Sequence, residues 1–286
     1  MPLTVQSLTV KAIDSNVKSV LVSGASSGLG ARVAEMLAQQ GHRVAGAARR
    51  VDRVASLPGV VPVKLDLADE GGIAAAVRKA QDECGPIEVL VNAAGFGEFG
   101  SLEETPLAHA RRQFDVNVFG LVALTQEVLG PMRVARRGRI VNVSSLAGEF
   151  SSPMGGWYHA SKFALEALSD TLRAEVQPFG LEVTVVQPGP VRTSWHRQAL
   201  ESLHATSGDG PYAKTARAVA AYHRDNQDKA ITSDVDTVAG VIVTAATVSH
   251  PKTRYRVGRG AGTAVALSRL PDRMFDAMTR RQLGIN

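Results

Sequence analysis

The sequence of 286 residues has few cysteines, few aromatic side chains and no long apolar run. Its single cysteine, Cys84, excludes an intramolecular disulfide and is typical of a reducing compartment. Only 5% of the residues are aromatic, whereas 27 glycines indicate many tight turns. No stretch of about 18 consecutive apolar residues is present, and residues 1–17 lack a basic start followed by an apolar stretch. We therefore expect a cytoplasmic protein with no signal peptide and no stable membrane insertion.

The charge of the chain is basic but scattered. The 32 Lys and Arg residues against 27 Asp and Glu residues give a formal net charge of +5. The arginines fall in short, separate groups, and no DNA-binding motif accompanies them. We therefore expect no nucleic-acid partner, because a phosphorylated small molecule explains part of the charge more simply. The seven histidines form no H-E-x-x-H motif and no cluster with cysteine, so no metal site is predicted.

Short apolar runs alternate with segments of helical periodicity. Seven runs are typical of parallel strands that are buried on both faces: 20–22, 44–48, 60–65, 89–91, 140–143, 183–186 and 255–257. Between them, apolar residues recur at helical spacing, as in Val33/Leu37 and Ile73/Val77/Ala80. This α/β alternation predicts one Rossmann-type domain over residues 1–286, a doubly wound parallel sheet of about seven strands with helices on both faces.

Two segments depart from this alternation. Residues 190–230 are polar and contain Trp195 and Tyr212. A connection of this length is typical of a functional lid or of a disordered segment, and we expect a lid over the substrate. Residues 260–286 form a C-terminal extension with apolar residues near helical spacing: Leu267, Leu270, Met274, Phe275 and Met278. We expect the extension to pack on the body or on a second subunit; a pocket cover and a membrane-surface contact are the alternatives.

A glycine-rich turn follows the first predicted strand and opens the first predicted helix. Such a unit directs unpaired backbone N–H groups and the positive helix end toward an anion, and glycine lets the backbone approach a pyrophosphate. The spacing is G-x-x-x-G-x-G, which differs from the more common G-x-G-x-x-G. The turn predicts cofactor contacts from six residues: Gly24, Ser26, Ser27, Gly28, Leu29 and Gly30.

The second motif pairs Tyr158 with Lys162, four residues later. On a helix the two side chains share one face. Hydride transfer to a carbonyl leaves an alkoxide, which needs an acid within reach of the oxygen. A nearby cation lowers the pKa of a phenol from about 10, so the pair predicts acid/base chemistry; the alternative is an incidental contact. His159 points about 100° away and is expected to be structural. No G-x-S-x-G motif surrounds Ser145, so a serine hydrolase is not expected.

Taken together and in order, these motifs resemble the short-chain dehydrogenase/reductase family. The resemblance covers residues 17–192 and rests on the glycine turn, Asp66, Asn92-Ala93-Ala94-Gly95, Asn117, Ser145, Tyr158-His159-Ala160-Ser161-Lys162 and Pro188-Gly189. Residues 158–192 and 255–260 are most similar to the hydroxysteroid- and retinol-dehydrogenase branch. The sequence departs from the family at Ser23, where threonine is usual, and at Ala93, where a second asparagine is more common.

The resemblance implies a role for each residue of the catalytic set. Tyr158 would be the general acid/base, while Lys162 would both perturb Tyr158 and hold the nicotinamide ribose. Ser145 would hydrogen-bond the substrate oxygen; its neighbour Ser144 is the competitor, and the spacing to Tyr158 favours Ser145. Asn117 would anchor a water in a proton relay. Further cofactor contacts are implied for Asp66, Leu67, Asn92, Ala93, Ala94, Gly95, Lys162, Pro188, Gly189, Val191 and Thr193.

The end of the second predicted strand decides between NAD and NADP. An acidic residue there accepts hydrogen bonds from the ribose 2′-OH, whereas arginine accommodates a 2′-phosphate. This strand is followed directly by Arg49 and Arg50, with no carboxylate. We therefore predict NADP(H), with Arg49 making most of the phosphate contact. Ser27 stands where many NADP-preferring relatives carry a second basic residue, and a solvated Arg49 is the alternative.

The substrate is less clearly indicated. Six apolar residues, most of them after strand ends, are pocket candidates that favour a hydrophobic ketone, aldehyde, steroid or retinoid: Phe96, Phe99, Phe150, Met154, Trp157 and Trp195. Any of them is also consistent with a core position. The resemblance implies a homodimer or homotetramer, with the helix before the fifth strand and the Tyr158 helix at the interface. Alternatives are an NAD-preferring alcohol dehydrogenase of this family and a catalytically silent NADP sensor. A sugar-nucleotide epimerase is disfavoured, since its turn usually has the spacing G-x-x-G-x-x-G.

Overall fold

The computed structural model describes residues 17–285, and a parallel sheet of seven strands lies at its centre. The strands are β1 Ser19–Ser23, β2 Arg43–Ala48, β3 Val60–Lys64, β4 Val89–Asn92, β5 Gly138–Val143, β6 Leu181–Pro188 and β7 Arg254–Val257. Their spatial order is β3-β2-β1-β4-β5-β6-β7, and each neighbouring pair is parallel. All seven predicted strands are thus confirmed, and the chain order reverses direction in the sheet between β1 and β4, where parallel α/β sheets place their ligands.

Helices cover both faces of this sheet. They are α1 Gly28–Gln39, α2 Val51–Ala55, α3 Glu70–Cys84, α4 Leu107–Phe114, α5 Leu121–Ala135, α6 Gly156–Val176, α7 Trp195–Ser207, α8 Ala213–Asn226, α9 Val235–Thr247, α10 Ala261–Leu267 and α11 Asp272–Leu283. A π-helical turn, Asp115–Gly120, joins α4 to α5. A 3-10 turn, Leu146–Gly148, follows β5.

Two apolar clusters hold the helices on the sheet. On one face, Val33 and Leu37 of α1 and Ile242 of α9 pack on β1, β4 and β5. On the other face, Ile73 and Val77 of α3 pack together with α5. All five side chains are buried, and each contributes roughly 1.5–3 kcal/mol of transfer free energy. The helical periodicity predicted for α1 and α3 is therefore confirmed.

One helical segment is apolar enough, by length and composition alone, to cross a membrane. Leu107–Ala135 contains an 18-residue window of mean hydropathy 1.2, of which 39% is buried. A count of consecutive apolar residues overlooks it because Asn117, Thr125 and Glu127 interrupt the run. In this structure Leu124, among others, packs into the cluster that α5 shares with α3, as in the core helix of a globular protein.

The segment 190–230 is folded into helices and is not a long irregular connection. Ala199 and Leu203 of α7 and Ala216 and Val219 of α8 are buried in one cluster with Phe99. The alternative of a disordered segment was wrong. Most of the buried positions are alanine or valine, so the apolar periodicity that identifies an amphipathic helix is weak in this sequence.

The C-terminal extension packs on the body through one side only. Phe275 of α11 lies edge-on to Phe150, with 6.1 Å between the ring centroids, and Leu283 packs against the cluster formed by α7 and α8. Gln282 donates a 2.7 Å hydrogen bond to the hydroxyl of Tyr222 on α8. Met274, in contrast, is 57% exposed. The predicted packing on the body is therefore confirmed for Phe275, whereas the body leaves Met274 exposed and packing on a second subunit stays a prediction for it.

Candidate active site

The glycine turn between β1 and α1 has a backbone that only glycine allows. Gly24 has a φ of +76°, and a Cβ on it would lie 2.8 Å from the backbone of Ala94. A Cβ on Gly30 would collide with the carbonyl oxygen of Gly24. Ser27 is the N-cap of α1, and its side chain makes no capping hydrogen bond there. The turn therefore brings open backbone N–H groups to the positive end of a helix, as an anion requires.

Two arginines stand beside this turn at the end of β2. Arg49 and Arg50 are both exposed, and neither forms an ion pair within residues 17–285. The Arg50 guanidinium is 3.5 Å from Ser27 Oγ, which places it at the rim of the glycine turn. The residues therefore fit a dinucleotide: the glycine turn forms a cradle for the pyrophosphate, and two cations lie at the end of β2.

The ends of β3 and β4 form the floor next to the turn. Asp66 accepts a 3.1 Å hydrogen bond from the backbone N–H of Ala68, and the Leu67 backbone packs closely on Gly120 of the π-helical turn. Ala94 donates its N–H to Ser23 Oγ at 3.2 Å, so serine at position 23 keeps a hydroxyl contact between β1 and the β4 loop. The four predicted residues Asn92, Ala93, Ala94 and Gly95 lie along this floor.

The Asn92 side chain points away from the floor. It is buried and donates hydrogen bonds to Thr125 Oγ1 at 3.0 Å and Asn142 Oδ1 at 2.9 Å. Asn92 therefore fastens β4 to β5 and α5, and only its backbone lies toward the predicted cofactor site. The other end of that site is formed by Pro188, Gly189, Val191 and Thr193, after β6. Here Gly189 donates its N–H to Val257 of β7 at 2.8 Å.

Thr193 connects the glycine turn with α7. Its Cγ2 methyl group would lie 3.6 Å from a Cβ on Gly28, and its Oγ1 accepts a 3.3 Å hydrogen bond from the N–H of Trp195, the first residue of α7. Val191 pairs with Ser233 in an isolated parallel bridge. The strand end after β6 thus joins the predicted cofactor surface to the helices that cover Tyr158.

Ser145, Tyr158 and Lys162 come together above the end of β5. Tyr158 and Lys162 share one face of α6, and Lys162 Nζ lies 5.9 Å from the centre of the Tyr158 ring. Lys162 donates a 3.0 Å hydrogen bond to the carbonyl oxygen of Val143. Ser145 Oγ accepts a 3.1 Å hydrogen bond from the N–H of Ala147, and its hydroxyl lies close enough to Tyr158 to lower the pKa of the phenol. Ser144 Oγ is buried with no partner among the described residues. The geometry therefore favours Ser145 over Ser144 as the partner of the tyrosine.

Burial is the main cause of the pKa shifts of Tyr158 and Lys162. It raises the pKa of Tyr158 to about 12, an effect that the nearby Ser145 hydroxyl only partly opposes. It lowers the pKa of Lys162 to about 8, although the charge of Glu166 acts in the other direction. The phenol is 9% exposed, and desolvation disfavours its anion. Burial therefore opposes the expected lowering of the Tyr158 pKa by Lys162, and that lowering stays a prediction.

Asn117 joins the β4 loop to α6. It lies in the π-helical turn, and its side chain accepts a hydrogen bond from the N–H of Phe96 at 3.1 Å. The amide group donates to the carbonyl oxygen of Phe96 at 2.9 Å and to Ser161 Oγ at 3.1 Å. The side chain is thus fully used in positioning, and the predicted relay through a water stays a prediction. π-Helical turns are frequent at functional sites, but no sequence signal pointed to this one.

An apolar wall covers the Tyr158 ring. Trp195 lies 5.0 Å and Phe99 5.8 Å from it, measured between ring centroids, and Met154 is buried in the same cluster. Gly97 makes room for the indole, since a Cβ there would be 2.5 Å from Trp195 Cζ2. We call Phe99, Met154 and Trp195 the apolar wall. These three of the six pocket candidates lie beside Tyr158.

The other three pocket candidates lie elsewhere, which corrects the prediction. Trp157 packs edge-on to Phe114, with 6.3 Å between the ring centroids, because it is one helix position, about 100°, from Tyr158. Phe96 lies under the guanidinium of Arg112 at 5.9 Å. Phe150 packs on Phe275 of α11.

Sequence reasoning missed a strained residue beside the site and a pair of histidines. Met154 has a φ of +67°, which is uncommon for a residue other than glycine, and its carbonyl oxygen accepts a 2.8 Å hydrogen bond from Gly100. His196 of α7 and His223 of α8 lie 5.6 Å apart between ring centroids. Burial lowers the pKa of His223 to about 4, and the nearby His196 and His159 add to this effect. No pattern in the sequence brings the two histidines together, because they lie on different helices.

His159 is structural, as predicted. Its Nδ1 lies 3.0 Å from the carbonyl oxygen of Ala147 and 2.6 Å from that of Phe150, and its Nε2 lies 3.0 Å from Ser152 Oγ. The imidazole therefore fastens the loop that follows Ser145. Within residues 17–285, no three His, Cys, Asp or Glu residues are grouped so that they could hold a metal ion.

Known proteins share this fold and these motifs. The family model for short chain dehydrogenase matches residues 18–203. The NADPH-dependent 3-dehydrocapnine reductase of Ornithobacterium rhinotracheale is 31% identical over 283 residues, covering 93% of this chain and 98% of that protein. The 3-ketodihydrosphingosine reductase of Bacteroides thetaiotaomicron is 40% identical over 176 residues, covering 62% of this chain and 65% of that protein.

A solved structure agrees over almost the whole length. The crystal structure of a short-chain dehydrogenase from Streptomyces avermitilis has a TM-score of 0.76 and 27% identity, and the match covers 95% of this chain and 98% of that chain. None of these three proteins is named as a hydroxysteroid or retinol dehydrogenase, so that finer placement stays a prediction. The chain belongs to the short-chain dehydrogenase/reductase family, oxidoreductases that bind a nicotinamide cofactor and act on CH–OH or carbonyl groups.

Proposed function

We propose that the protein is an NADP(H)-dependent oxidoreductase that interconverts a hydrophobic ketone or aldehyde and its alcohol, with Tyr158 as general acid/base. One juxtaposition carries the proposal. Arg49 and Arg50 flank the glycine turn with no carboxylate at the end of β2, while the Tyr158 hydroxyl lies beside Ser145 under the apolar wall. The first feature fits a phosphorylated dinucleotide and the second fits reduction of an apolar carbonyl.

The preference for NADP(H) is supported by the charge at the end of β2. Arginine binds a phosphate through paired hydrogen bonds from its planar guanidinium, and neither arginine there forms an ion pair within the described residues. Titration of the purified protein with NADPH and with NADH, followed by nicotinamide fluorescence, tests this. We expect NADPH to bind at least about tenfold tighter, or 1.4 kcal/mol. Equal or tighter binding of NADH would instead support an NAD-preferring alcohol dehydrogenase of this family.

The side chains around Tyr158 account for the transfer of a proton to the substrate oxygen. When bound, the nicotinamide supplies hydride to the carbonyl carbon or accepts it from the alcohol. Ser145 Oγ and the Tyr158 hydroxyl both donate toward a carbonyl oxygen placed between them, which stabilises the developing negative charge. Because burial disfavours the phenolate, the phenol keeps its proton at neutral pH and can donate it to the more basic alkoxide that forms in reduction. Lys162, held by the Val143 carbonyl, would bind the ribose hydroxyls.

The proposed substrate class rests on the apolar wall. The two similar reductases are named for ketones, 3-dehydrocapnine and 3-ketodihydrosphingosine, and the second of these compounds carries a long alkyl chain. Phe99, Met154 and Trp195 offer such a chain a surface without charged groups. A panel of long-chain ketones, steroids, retinoids, small sugars and keto acids tests the proposal. Turnover of only the small polar compounds would contradict it.

We also infer a homo-oligomer. Phe119 in the π-helical turn is 55% exposed, and Phe163 and Leu168 on α6 are 44% and 41% exposed. Large apolar side chains exposed together on neighbouring helices are typical of subunit contacts. Analytical ultracentrifugation of the wild type and of Phe163→Glu tests this, because the charged variant should sediment as a smaller species. A wild type that is monomeric at all concentrations would overturn the inference.

A further inference from the structure

The outer side of the C-terminal helix α11 is the feature that the proposed function leaves unused. None of the helix residues is buried, and Phe275 and Leu283 form the side that packs on the body. At about 100° per residue, Arg273 and Arg280 lie within about 20° of each other and about 140–160° from Phe275. The helix therefore presents arginines to solvent on the side opposite to its packing side.

These arginines differ from others in the same part of the chain. Arg254 pairs with Glu166 at 2.8 Å and Arg256 pairs with Glu149 at 3.1 Å. In residues 17–285, in contrast, no ion pair involves the four arginines of the C-terminal segment, Arg269, Arg273, Arg280 and Arg281. Only two acidic residues, Asp272 and Asp276, accompany these four arginines. The segment therefore carries an excess of positive charge that the body of the protein does not neutralise.

Apolar side chains project next to this charge. Met274 is 57% exposed and Leu267, the last residue of α10, is 38% exposed. Met274 and Arg281 are seven residues apart and so lie within about 20° on the helix. Exposed arginines beside single exposed apolar side chains suit the surface of an anionic bilayer, which attracts the cations and admits the apolar groups.

The same helix also lies against the apolar wall region. Leu283 and Ile285 pack on the cluster that contains Tyr158, Phe99 and Trp195, and Gln282 bonds Tyr222 of α8. The charged side of α11 therefore lies directly outside the helices that cover the proposed substrate site.

We propose that the outer side of α11, with Leu267 at the end of α10, docks the protein on an anionic lipid membrane, from which an apolar substrate reaches the site under α7 and α8. The delivery of substrate rests on the proposed function, whereas the docking itself does not. Charge complementarity selects this partner, because each exposed arginine is attracted to the negative surface of the bilayer. A symmetric contact with a second copy would bring the same arginines face to face.

Vesicle sedimentation of the full chain tests the docking. We expect the wild type to sediment with vesicles of phosphatidylcholine and phosphatidylserine, to stay in solution with phosphatidylcholine alone, and to be released by salt, which screens surface charges. The triple variant Arg273→Glu/Arg280→Glu/Arg281→Glu should lose at least about tenfold in apparent affinity, since each basic residue contributes separately. The matched control is Arg78→Glu/Arg111→Glu/Arg217→Glu, three exposed arginines on α3, α4 and α8 with the same change in charge; it should keep most of the binding.

Three outcomes would overturn the docking: no preference of the wild type for anionic vesicles, an equal loss in the control variant, or a changed subunit number in the α11 variant, which would make this side a contact between copies. Delivery is tested separately with two ketones. The α11 variant should reduce a water-soluble ketone at the wild-type rate and a vesicle-embedded long-chain ketone several-fold more slowly. Vesicle binding without reduction of either ketone would contradict the proposed function and leave the docking in place.

Discussion

The surfaces on the two sides of Tyr158 differ in what forms them. On one side, at the carboxyl ends of β1 to β4, backbone forms most of the surface. On the other side, the surface is formed by side chains of α7 and α8. A methyl group added to Gly30 collides with the carbonyl oxygen of Gly24, so the first surface tolerates almost no change in shape. On the second surface, the ring centroid of Trp195 lies 5.0 Å from that of Tyr158. These are contacts between side chains, which a change of rotamer can rearrange.

The difference between these surfaces follows from what each is proposed to bind. A dinucleotide phosphate needs several backbone N–H groups in fixed positions, which a strand, a glycine turn and a helix end provide. An apolar substrate needs only surface without unpaired polar groups, and alanine, valine and aromatic residues from several helices can supply it. Tyr158 belongs to both, because α6 holds it against Ser145 while Trp195 buries it.

The largest effect on activity is expected at Tyr158, where the two surfaces meet. Replacing Tyr158 with phenylalanine removes the proposed proton donor and should lower the rate of carbonyl reduction by about 10²- to 10⁴-fold. The affinity for NADPH should stay within about threefold, because the proposed phosphate contacts, the glycine turn and Arg49, do not involve the Tyr158 hydroxyl. Tyr255→Phe on β7 is the matched control. A Tyr158→Phe enzyme with near wild-type turnover would remove Tyr158 from the chemistry.

The burial of Lys162 should be visible in how the free energy of unfolding depends on pH. The folded-state pKa of about 8 lies below the unfolded value of about 10.5, so the unfolded chain binds more protons between these two values. The free energy of unfolding of the wild type, relative to Lys162→Met, should therefore rise from pH 8 to pH 10 by up to about 3 kcal/mol. Above pH 10 the raised pKa of Tyr158 lowers the stability of both proteins, so it cancels in this difference.

Denaturant unfolding at several pH values measures this difference. Lys79→Met on α3, where the lysine is exposed and paired with Glu83, is the control and should show no such rise. A difference between the wild type and Lys162→Met that is constant over this pH range would mean that the ammonium group is not desolvated in the folded state.

Arg49 tests the cofactor side alone. Arg49→Ala should weaken NADPH binding by about tenfold, the loss of a charge-assisted phosphate contact, and should leave NADH binding unchanged. Arg78→Ala, at an exposed position on α3, should change neither. A loss well below tenfold for NADPH, or an equal loss for both cofactors, would show that Arg49 does not contact the 2′-phosphate.

The apolar wall should give the smallest effect. Trp195→Ala removes an aromatic contact of about 1 kcal/mol and should raise KM for a long-chain ketone by roughly fivefold, with little change for acetone. Trp157→Ala, the control, removes the tryptophan that packs on Phe114 instead. Equal effects of the two variants on the long-chain ketone would show that Trp195 does not line the substrate site.

The sequence predicts the cofactor side better than the substrate side for a physical reason. Parallel strands are short apolar runs, and the glycine turn needs particular residues at fixed spacing, so both are visible within a few neighbouring positions. The substrate side depends on contacts between distant segments. The residues next to Trp157 and Trp195 in the sequence do not show that only Trp195 faces Tyr158. The alanines of α7 and α8 weaken the apolar periodicity by which these helices could be recognised.

The same limit applies to the acidity of the site. The spacing of Tyr158 and Lys162 predicts their proximity, which the structure confirms with 5.9 Å between Nζ and the ring centre. It does not reveal that Trp195, 37 positions further along, buries the phenol and raises its pKa. Desolvation is a property of the assembled fold, so the direction of the pKa shift could not be predicted from the motif.

We propose that the protein reduces hydrophobic carbonyl compounds with NADPH at Tyr158. The most direct test compares kcat/KM for a long-chain 3-ketone with kcat/KM for acetone, both with NADPH as the reductant. We predict a preference for the long-chain ketone of more than about a hundredfold, because each buried methylene contributes about 0.8 kcal/mol. Equal values, or a preference for acetone, would contradict the account.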